Sequence, residues 1–217
     1  MKNCLRSTCL ILLFILLFAF ASCDAISPAK VNGEVNGGLL TVSFLDVGQG
    51  DSTLIYTADA AILIDGGSYE TGNRVTDALS KLHISRLDAV IVTHPHADHI
   101  GGNRYLQEQT NCRIFAPGID CDFTNHPILE PAFLYGGDPL RDLKHKFLLA
   151  QESRAEKLTQ DVLPDGMELI PLPGHCFDMV GFRTSDNVVY LADCLSSRET
   201  LDKYGVGYLW DVEAYLA

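Results

Sequence analysis

The stretch Leu87-Asp88-Ala89-Val90-Ile91-Val92-Thr93-His94-Pro95-His96-Ala97-Asp98-His99-Ile100-Gly101-Gly102 decides how this chain folds and what it can do. Leu87 to Thr93 is apolar and β-branched, as a buried strand requires. Directly after it, three histidines and one aspartate fall together. Pro95 disfavours helix at His94, so the strand runs out through an extended peptide. His94 and His96, two apart on that peptide, can converge on one ion. Asp98 and His99, past the bend, can serve a second. Gly101 and Gly102 allow close backbone packing behind the loop. Imidazole nitrogen and carboxylate oxygen are ligands that zinc accepts, at about 2.0–2.2 Å. A strand exit is where a rigid scaffold presents such groups, which makes an incidental polar loop a poor reading.

Working outward, short β-rich runs precede this motif at Leu39 to Asp46, Ser52 to Thr57 and Ala60 to Asp65. The helical spacing of Val75, Ala78, Leu79 and Leu82 predicts a helix over Thr71 to Leu82. Beyond the motif come a helix at Asn103 to Gln109 and a strand at Arg113 to Ala116. Residues 117–165, with Pro117, Pro127, Pro131, Pro139 and Gly136-Gly137, read as irregular, with one helix near Arg154 to Asp161. Strands follow at Met167 to Leu172, Met179 to Thr184 and Val188 to Asp193. Helices follow at Ser197 to Tyr204 and from Asp211 onward. This is an α/β arrangement with two packed sheets, not a strictly alternating βαβ series. The irregular segment is where substrate preference is expected to be set.

The chain has 217 residues, 47% of them hydrophobic and 20% charged, which fits one domain with a real core and excludes disorder. Its formal net charge of −12 argues against a non-specific grip on nucleic-acid backbone or anionic lipid. Residues 1–22 read as a separate object. Lys2 and Arg6 precede the apolar run Leu10 to Phe20, which is shorter than the roughly 20 residues a membrane helix needs but suits a signal-peptide core. Ala19-Phe20-Ala21 fits an ordinary cleavage site. Phe20-Ala21-Ser22-Cys23 resembles a bacterial lipobox, with Cys23 as the lipidated residue, and this second reading is favoured. The expectation is an exported, membrane-anchored lipoprotein facing outside the cytoplasm. Residues 23–38 would be a flexible tether and 39–217 the folded domain. Export permits disulfides, and Cys112 and Cys121 are close enough in sequence to pair. The default for Cys112, Cys121, Cys176 and Cys194 is nevertheless small apolar core, with Cys176 the least certain.

Three further motifs lie in order around the histidine loop: Leu63-Ile64-Asp65-Gly66-Gly67, Pro173-Gly174-His175 and Leu191-Ala192-Asp193. Together they resemble the metallo-β-lactamase-fold hydrolase superfamily, whose signature is H-x-H-x-D-H. The resemblance covers roughly residues 39 to 217. It implies a four-layer αβ/βα sandwich with the site at one edge. It implies that His94, His96 and His175 hold a first zinc ion, that Asp98 and His99 hold a second, and that Asp193 lies between them. Asp65 would support the site, and Asp98 would also orient a metal-activated hydroxide for attack. Iron or manganese are alternatives to zinc, and an iron-dependent redox relative is one rival function. Phe44-Leu45-Asp46-Val47-Gly48-Gln49-Gly50-Asp51-Ser52 is similar to the opening of a subgroup that includes the hydrolase domain of DNA-uptake proteins and a phosphorylcholine esterase. That likeness raises phosphodiesters as substrates, with other esters behind. Its backbone N–H groups either face an anion or simply close a hairpin.

One departure bears on the second ion. Family members end with a further strand and a histidine for it, and this sequence has no histidine after His175. The expectation is a domain incomplete at its C-terminus, with a weak second site. A catalytically silent metal-binding protein is the other rival. A small or surface-tethered substrate fits better than nucleic acid. His83, His126 and His145 read as surface residues, as do Arg183 and Arg198. Tyr135 and Tyr208 lie in loops of the kind that line such sites.

Overall fold

The structure, a computed structural model, describes residues 40–145 and 148–217. The signal segment, Cys23 and the tether lie outside the described residues. Six strands form one sheet in chain order: β1 (Thr41–Phe44), β2 (Thr53–Tyr56), β3 (Ala61–Ile64), β4 (Ala89–Ile91), β5 (Arg113–Ala116) and β6 (Ala155–Lys157). The β1–β2 and β2–β3 pairs are antiparallel, and the remaining pairs are parallel. Parallel neighbours need crossover connections. Helix α1 (Gly72–Lys81) supplies one, and α2 (Ala97–Ile100) with α3 (Asn103–Thr110) supply the next. A second, antiparallel sheet holds β7 (Met167–Pro171), β8 (Val180–Thr184) and β9 (Val189–Tyr190). Short helices α6 (Arg198–Tyr204) and α7 (Val212–Leu216) follow it in the chain.

Strand alternation builds two cores from the same strands. Leu54, Leu63, Val90 and Ile114 point one way and pack with Val75 and Leu79 of α1 and Leu106 of α3. Ile55, Ile62, Ile64, Ala89, Ile91 and Phe115 point the other way and pack with Met167, Val180 and Phe182 of the second sheet. Both faces of the large sheet are therefore covered, which is why β3 and β4 are apolar throughout. The sheets are also joined by Val180 N donating to Thr93 O at 3.1 Å, right beside the histidine loop. This is the two-sheet α/β sandwich expected of the αβ/βα fold, with α1 and α3 covering the outer face of the larger sheet.

Three local expectations are corrected. The segment Arg154 to Asp161 is not a helix: Ala155–Lys157 is the edge strand β6, followed by a 3-10 turn at Gln160–Val162. Its charged residues suit an exposed edge, and Glu156 pairs with Arg113 of β5 at 2.6 Å. Within the segment read as irregular, α4 (Asp120–Asn125) and α5 (Leu129–Tyr135) are helical. Pro131 does not prevent α5, because it sits in the first turn, where no intrahelical N–H bond is lost. Strand β9 stops at Tyr190 because Ala192 takes a left-handed conformation, φ 43°, and Asp193 lies in a 3-10 turn. Cys194 is accordingly half-buried, not core, and its carbonyl accepts from the Tyr215 hydroxyl at 2.6 Å. The four cysteines among the described residues are unpaired, Cys112 and Cys121 included.

Candidate metal centre

Four strand ends deliver the site. After β3, Asp65 turns into the left-handed region, φ 59°, a costly backbone for a non-glycine residue and common where a functional group is being aimed. Its carboxylate accepts from Thr93 N at 2.8 Å, Thr93 Oγ1 at 2.7 Å and His99 Nδ1 at 2.9 Å. After β4 come Thr93 and His94, then His96 as the extended residue before α2, which carries Asp98 and His99. After β7, Gly174 places His175, and after β9 the turn places Asp193. Gly174 has φ 115°, and a Cβ there would fall 2.5 Å from Tyr215. Its carbonyl accepts from Trp210 N at 2.8 Å and Asp211 N at 3.0 Å, fastening the C-terminal segment behind His175.

The hydrogen bonds select the histidine tautomers. The Thr93 hydroxyl gives its only proton to Asp65, so it must accept from His94 Nδ1–H, 3.0 Å away. The lone pair of His94 is therefore on Nε2, which is fully buried and has no hydrogen-bond partner. The Tyr208 carbonyl only accepts, so His175 Nδ1 donates to it at 2.9 Å and Nε2 is bare. His175 Nε2 lies 3.1 Å from His96 Nδ1, and His96 Nε2 lies 3.4 Å from Cys176 Sγ. When the sulfur accepts at Nε2, Nδ1 of His96 is the nitrogen left to bind an ion. His94 Nε2, His96 Nδ1 and His175 Nε2 thus face one another with their rings 4.7–4.9 Å apart.

Electrostatics agree with ligation. Burial, reinforced by neighbouring histidines, lowers the pKa of His94 well below its ordinary value and that of His96 to about 3. Burial lowers His175 as well. All three are neutral, as a metal requires. His99 differs: burial opposes its charge, but Asp65 and Asp193 hold its pKa well above the ordinary value. Asp193 spans the two groups. Its Oδ2 lies 3.7 Å from His175 Nε2 and 4.0 Å from His94 Nε2, and its Oδ1 lies 3.5 Å from His99 Nε2. Burial raises the Asp193 pKa less than His99 and the other histidines lower it, so it stays below the usual range.

The ligand atoms of His94, His96, His175 and Cys176 lie within 4.8 Å of one another, as do those of His94, His99 and Asp193. This donor set of imidazoles, one carboxylate and an adjacent thiol fits a zinc-type ion, and a buried, bare His94 Nε2 is otherwise unexplained. Asp98 belongs to neither cluster. It sits in the first turn of α2, with its backbone pressed against Gly50, where a Cβ would fall 1.9 Å from the Asp98 carbonyl oxygen. Its charge is nevertheless felt by Asp51, His175 and Cys176. His83, His126 and His145 are in neither cluster. Arg183 pairs with Glu168 and Arg198 with Asp202, as surface residues do.

Sequence reasoning missed three neighbours. Cys176 was expected to be small core and instead faces His96. Asp51 closes the glycine turn between β1 and β2, and burial followed by the charges of Asp65, Asp193 and Asp98 raises its pKa. Glu130 of α5 is 6% exposed, and burial, then Asp98, raises its pKa to about 8. Cys176 had a signal in standing next to a ligand in a loop, and Asp51 in closing the glycine-turn motif, whereas Glu130 had none. Tyr208 does line the site, its ring 5.6 Å from His96 and 5.9 Å from His175. Tyr135 is exposed at the end of α5.

The family model of the Metallo-beta-lactamase superfamily matches residues 45–217. A Methanocaldococcus jannaschii protein described as a "Probable metallo-hydrolase" is 25% identical over 166 residues, covering 76% of this chain and 73% of that one. A hydroxyacylglutathione hydrolase of Albidiferax ferrireducens is 26% identical over 158 residues, covering 73% of this chain and 50% of its own length. Another, from Thiobacillus denitrificans, is 58% identical over 31 residues, 14% of this chain and 12% of its own. Among solved structures, a metallo-beta-lactamase from Cronobacter sakazakii superposes with a TM-score of 0.54 at 20% identity, covering 68% of this chain and 58% of that one. The FEZ-1 metallo-beta-lactamase from Legionella gormanii gives 0.51 at 20% identity, covering 66% and 54%. The chain thus spans little more than half the length of these two lactamases, and the likeness to them is one of fold.

Proposed function

The chain belongs to the metallo-beta-lactamase superfamily, and from that premise we propose that it is a zinc-dependent hydrolase holding two ions of unequal affinity. The observation that carries the reading is the convergence of His94 Nε2, buried and unpartnered, with His96 Nδ1 and His175 Nε2. When bound, zinc supplies Lewis acidity and makes water acidic enough to ionise near neutral pH. His94, His96 and His175 hold the first ion. His99 and Asp193 would hold the second, with Asp98 as a further carboxylate in the first turn of α2, and Asp193 stands beside both sets. Asp65 fixes His99 through Nδ1, and Asp98 would orient the attacking water. The first ligand set is the tighter, because its three imidazoles are neutral and positioned by Thr93, Cys176 and Tyr208. The second must displace the proton of His99 and relies on a carboxylate that is 41% exposed.

A phosphodiester is the first substrate class, on the glycine turn Asp46 to Asp51 that closes beside Asp98. The recurrence of hydroxyacylglutathione hydrolases among the relatives favours a second reading, hydrolysis of a hydroxyacylglutathione. Protein purified without added metal should contain zinc. It should cleave a chromogenic phosphodiester faster than a hydroxyacylglutathione, with both activities lost on chelation. Zinc without turnover of either would favour a silent metal-binding protein, and iron would favour a redox relative.

Among the described residues no helix is long and apolar enough to cross a membrane. We propose membrane attachment through a lipid on Cys23 after export. This fits an enzyme acting outside the cytoplasm on a small or surface-tethered substrate. Cys23→Ser should abolish lipid labelling and release the protein from the membrane fraction, and unchanged retention would remove the lipobox reading.

A further inference from the structure

We propose that the aromatic pocket beside His96 and His175 is a subsite for a primary ammonium group, received by the carboxyl of Glu130. The pocket's place in catalysis rests on the hydrolase reading above, and its ligand chemistry does not. Phe123, Phe133, Phe177, Tyr208 and Trp210 line it together with Glu130. Their rings form a continuous wall: Phe177 lies 4.4 Å from Trp210 and 5.2 Å from Phe133, and Phe123 lies 5.4 Å from Phe177. Glu130 is 6% exposed, and its Oε2 has no hydrogen-bond partner. A buried carboxyl oxygen with no donor is costly and calls for a partner. Among the described residues no lysine or arginine lines the pocket to provide one.

Chemistry and size then narrow the ligand. A positively charged N–H donor stabilises the ionised form of Glu130 that burial otherwise disfavours, and it also engages the negative faces of the surrounding rings. A neutral hydroxyl does only the first, and an apolar group only the second. The cavity is about 20 Å³, room for one water-sized group. An –NH3+ head fits that space and a trimethylated one does not. The walls include His96 and His175, so a substrate seated there by its ammonium group has its next atoms at the metal ligands. The substrate class that follows is an ester or phosphodiester whose alcohol or acyl part bears a primary amine a few bonds from the cleaved linkage.

Trp210, the only tryptophan of the chain, lines the pocket and reports its occupancy. Zinc-loaded protein is titrated with ethylammonium chloride while Trp210 fluorescence is followed, with sodium chloride as the ionic-strength control. The expected result is a saturable change with ethylammonium only, with tetramethylammonium binding at least tenfold more weakly. Glu130→Gln, nearly isosteric, should weaken ethylammonium at least tenfold. Phe177→Leu, which removes a ring face but no charge, should weaken it as well and serves if the first variant does not fold. No saturable change, the same curve with sodium chloride, equal binding of tetramethylammonium, or an unaltered curve in both variants overturns the subsite. Binding is read without turnover, so a protein that takes ethylammonium and hydrolyses nothing keeps the subsite and loses the hydrolase reading.

Discussion

The Asp65 carboxylate sits 2.9 Å from His99 Nδ1, both side chains fully buried, so one ring nitrogen of His99 is permanently engaged and only Nε2 faces Asp193. A buried carboxylate behind a ligand imidazole fixes its orientation and raises its basicity. Asp65→Asn keeps an oxygen for Thr93 but removes the charge. It should weaken the ion at His99 by about 10–100-fold and leave the ion of His94, His96 and His175 nearly as tight. Competition with a chromophoric chelator measures both, and an unchanged labile ion would contradict the arrangement.

The two ligand sets should separate on chelation. His94, His96 and His175 are neutral and converge, whereas His99 carries a proton that an ion must expel. Chelator titration of the wild type should release metal in two steps. His96→Ala should abolish the slow step, and His99→Ala should abolish only the fast one while the circular dichroism spectrum stays native. Full metal content in both His96→Ala and His175→Ala would sink the assignment.

Cys176 should act through His96. Its Sγ lies 3.4 Å from Nε2, and as an acceptor there it would favour the tautomer with Nδ1 bare. Cys176→Ala should lower zinc affinity about tenfold and mix the two His96 tautomers in nitrogen NMR. Cys176→Ser, which restores an acceptor, should recover most of both. A thiolate-to-metal absorption band in the cobalt-loaded wild type would instead make the sulfur a direct ligand.

Much of this was legible in the chain, for a physical reason. Strand ends at His94, His175 and Asp65 are announced by apolar β-branched runs that break at Pro, Gly or Asp, and those local signals survive folding. Edge and loop elements were less legible. Arg154 to Asp161 has helical character, yet β6 is drawn into the sheet by its ladder to β5, by Gln107 bonding Arg154, and by Asn125 bonding Ala155. Those partners lie 30 or more residues away, and no local pattern shows them. Glu130 stayed hidden for the same reason: it looks ordinary until α5 brings it to the pocket beside His96, His175 and Cys176.

Asp120 gives a pH test independent of any metal. It is fully buried at the start of α4, its Oδ2 accepting from Asp178 N at 3.1 Å and its Oδ1 unpartnered. Burial raises its pKa from 3.8 to about 7. The unfolded chain ionises near pH 4 and the folded one near 7, so between these values the folded state binds more protons. Its contribution to stability is complete below about pH 4, falls as pH rises through that window, and is gone above about pH 7. At one pH unit per 1.36 kcal/mol, the change is on the order of a few kcal/mol. Asp120→Asn keeps the bond to Asp178 and removes the titration. The melting temperature of the variant relative to wild type should therefore rise from pH 4 to 7 and level off above. A difference constant across that range would show that Asp120 ionises in the folded state as readily as in water.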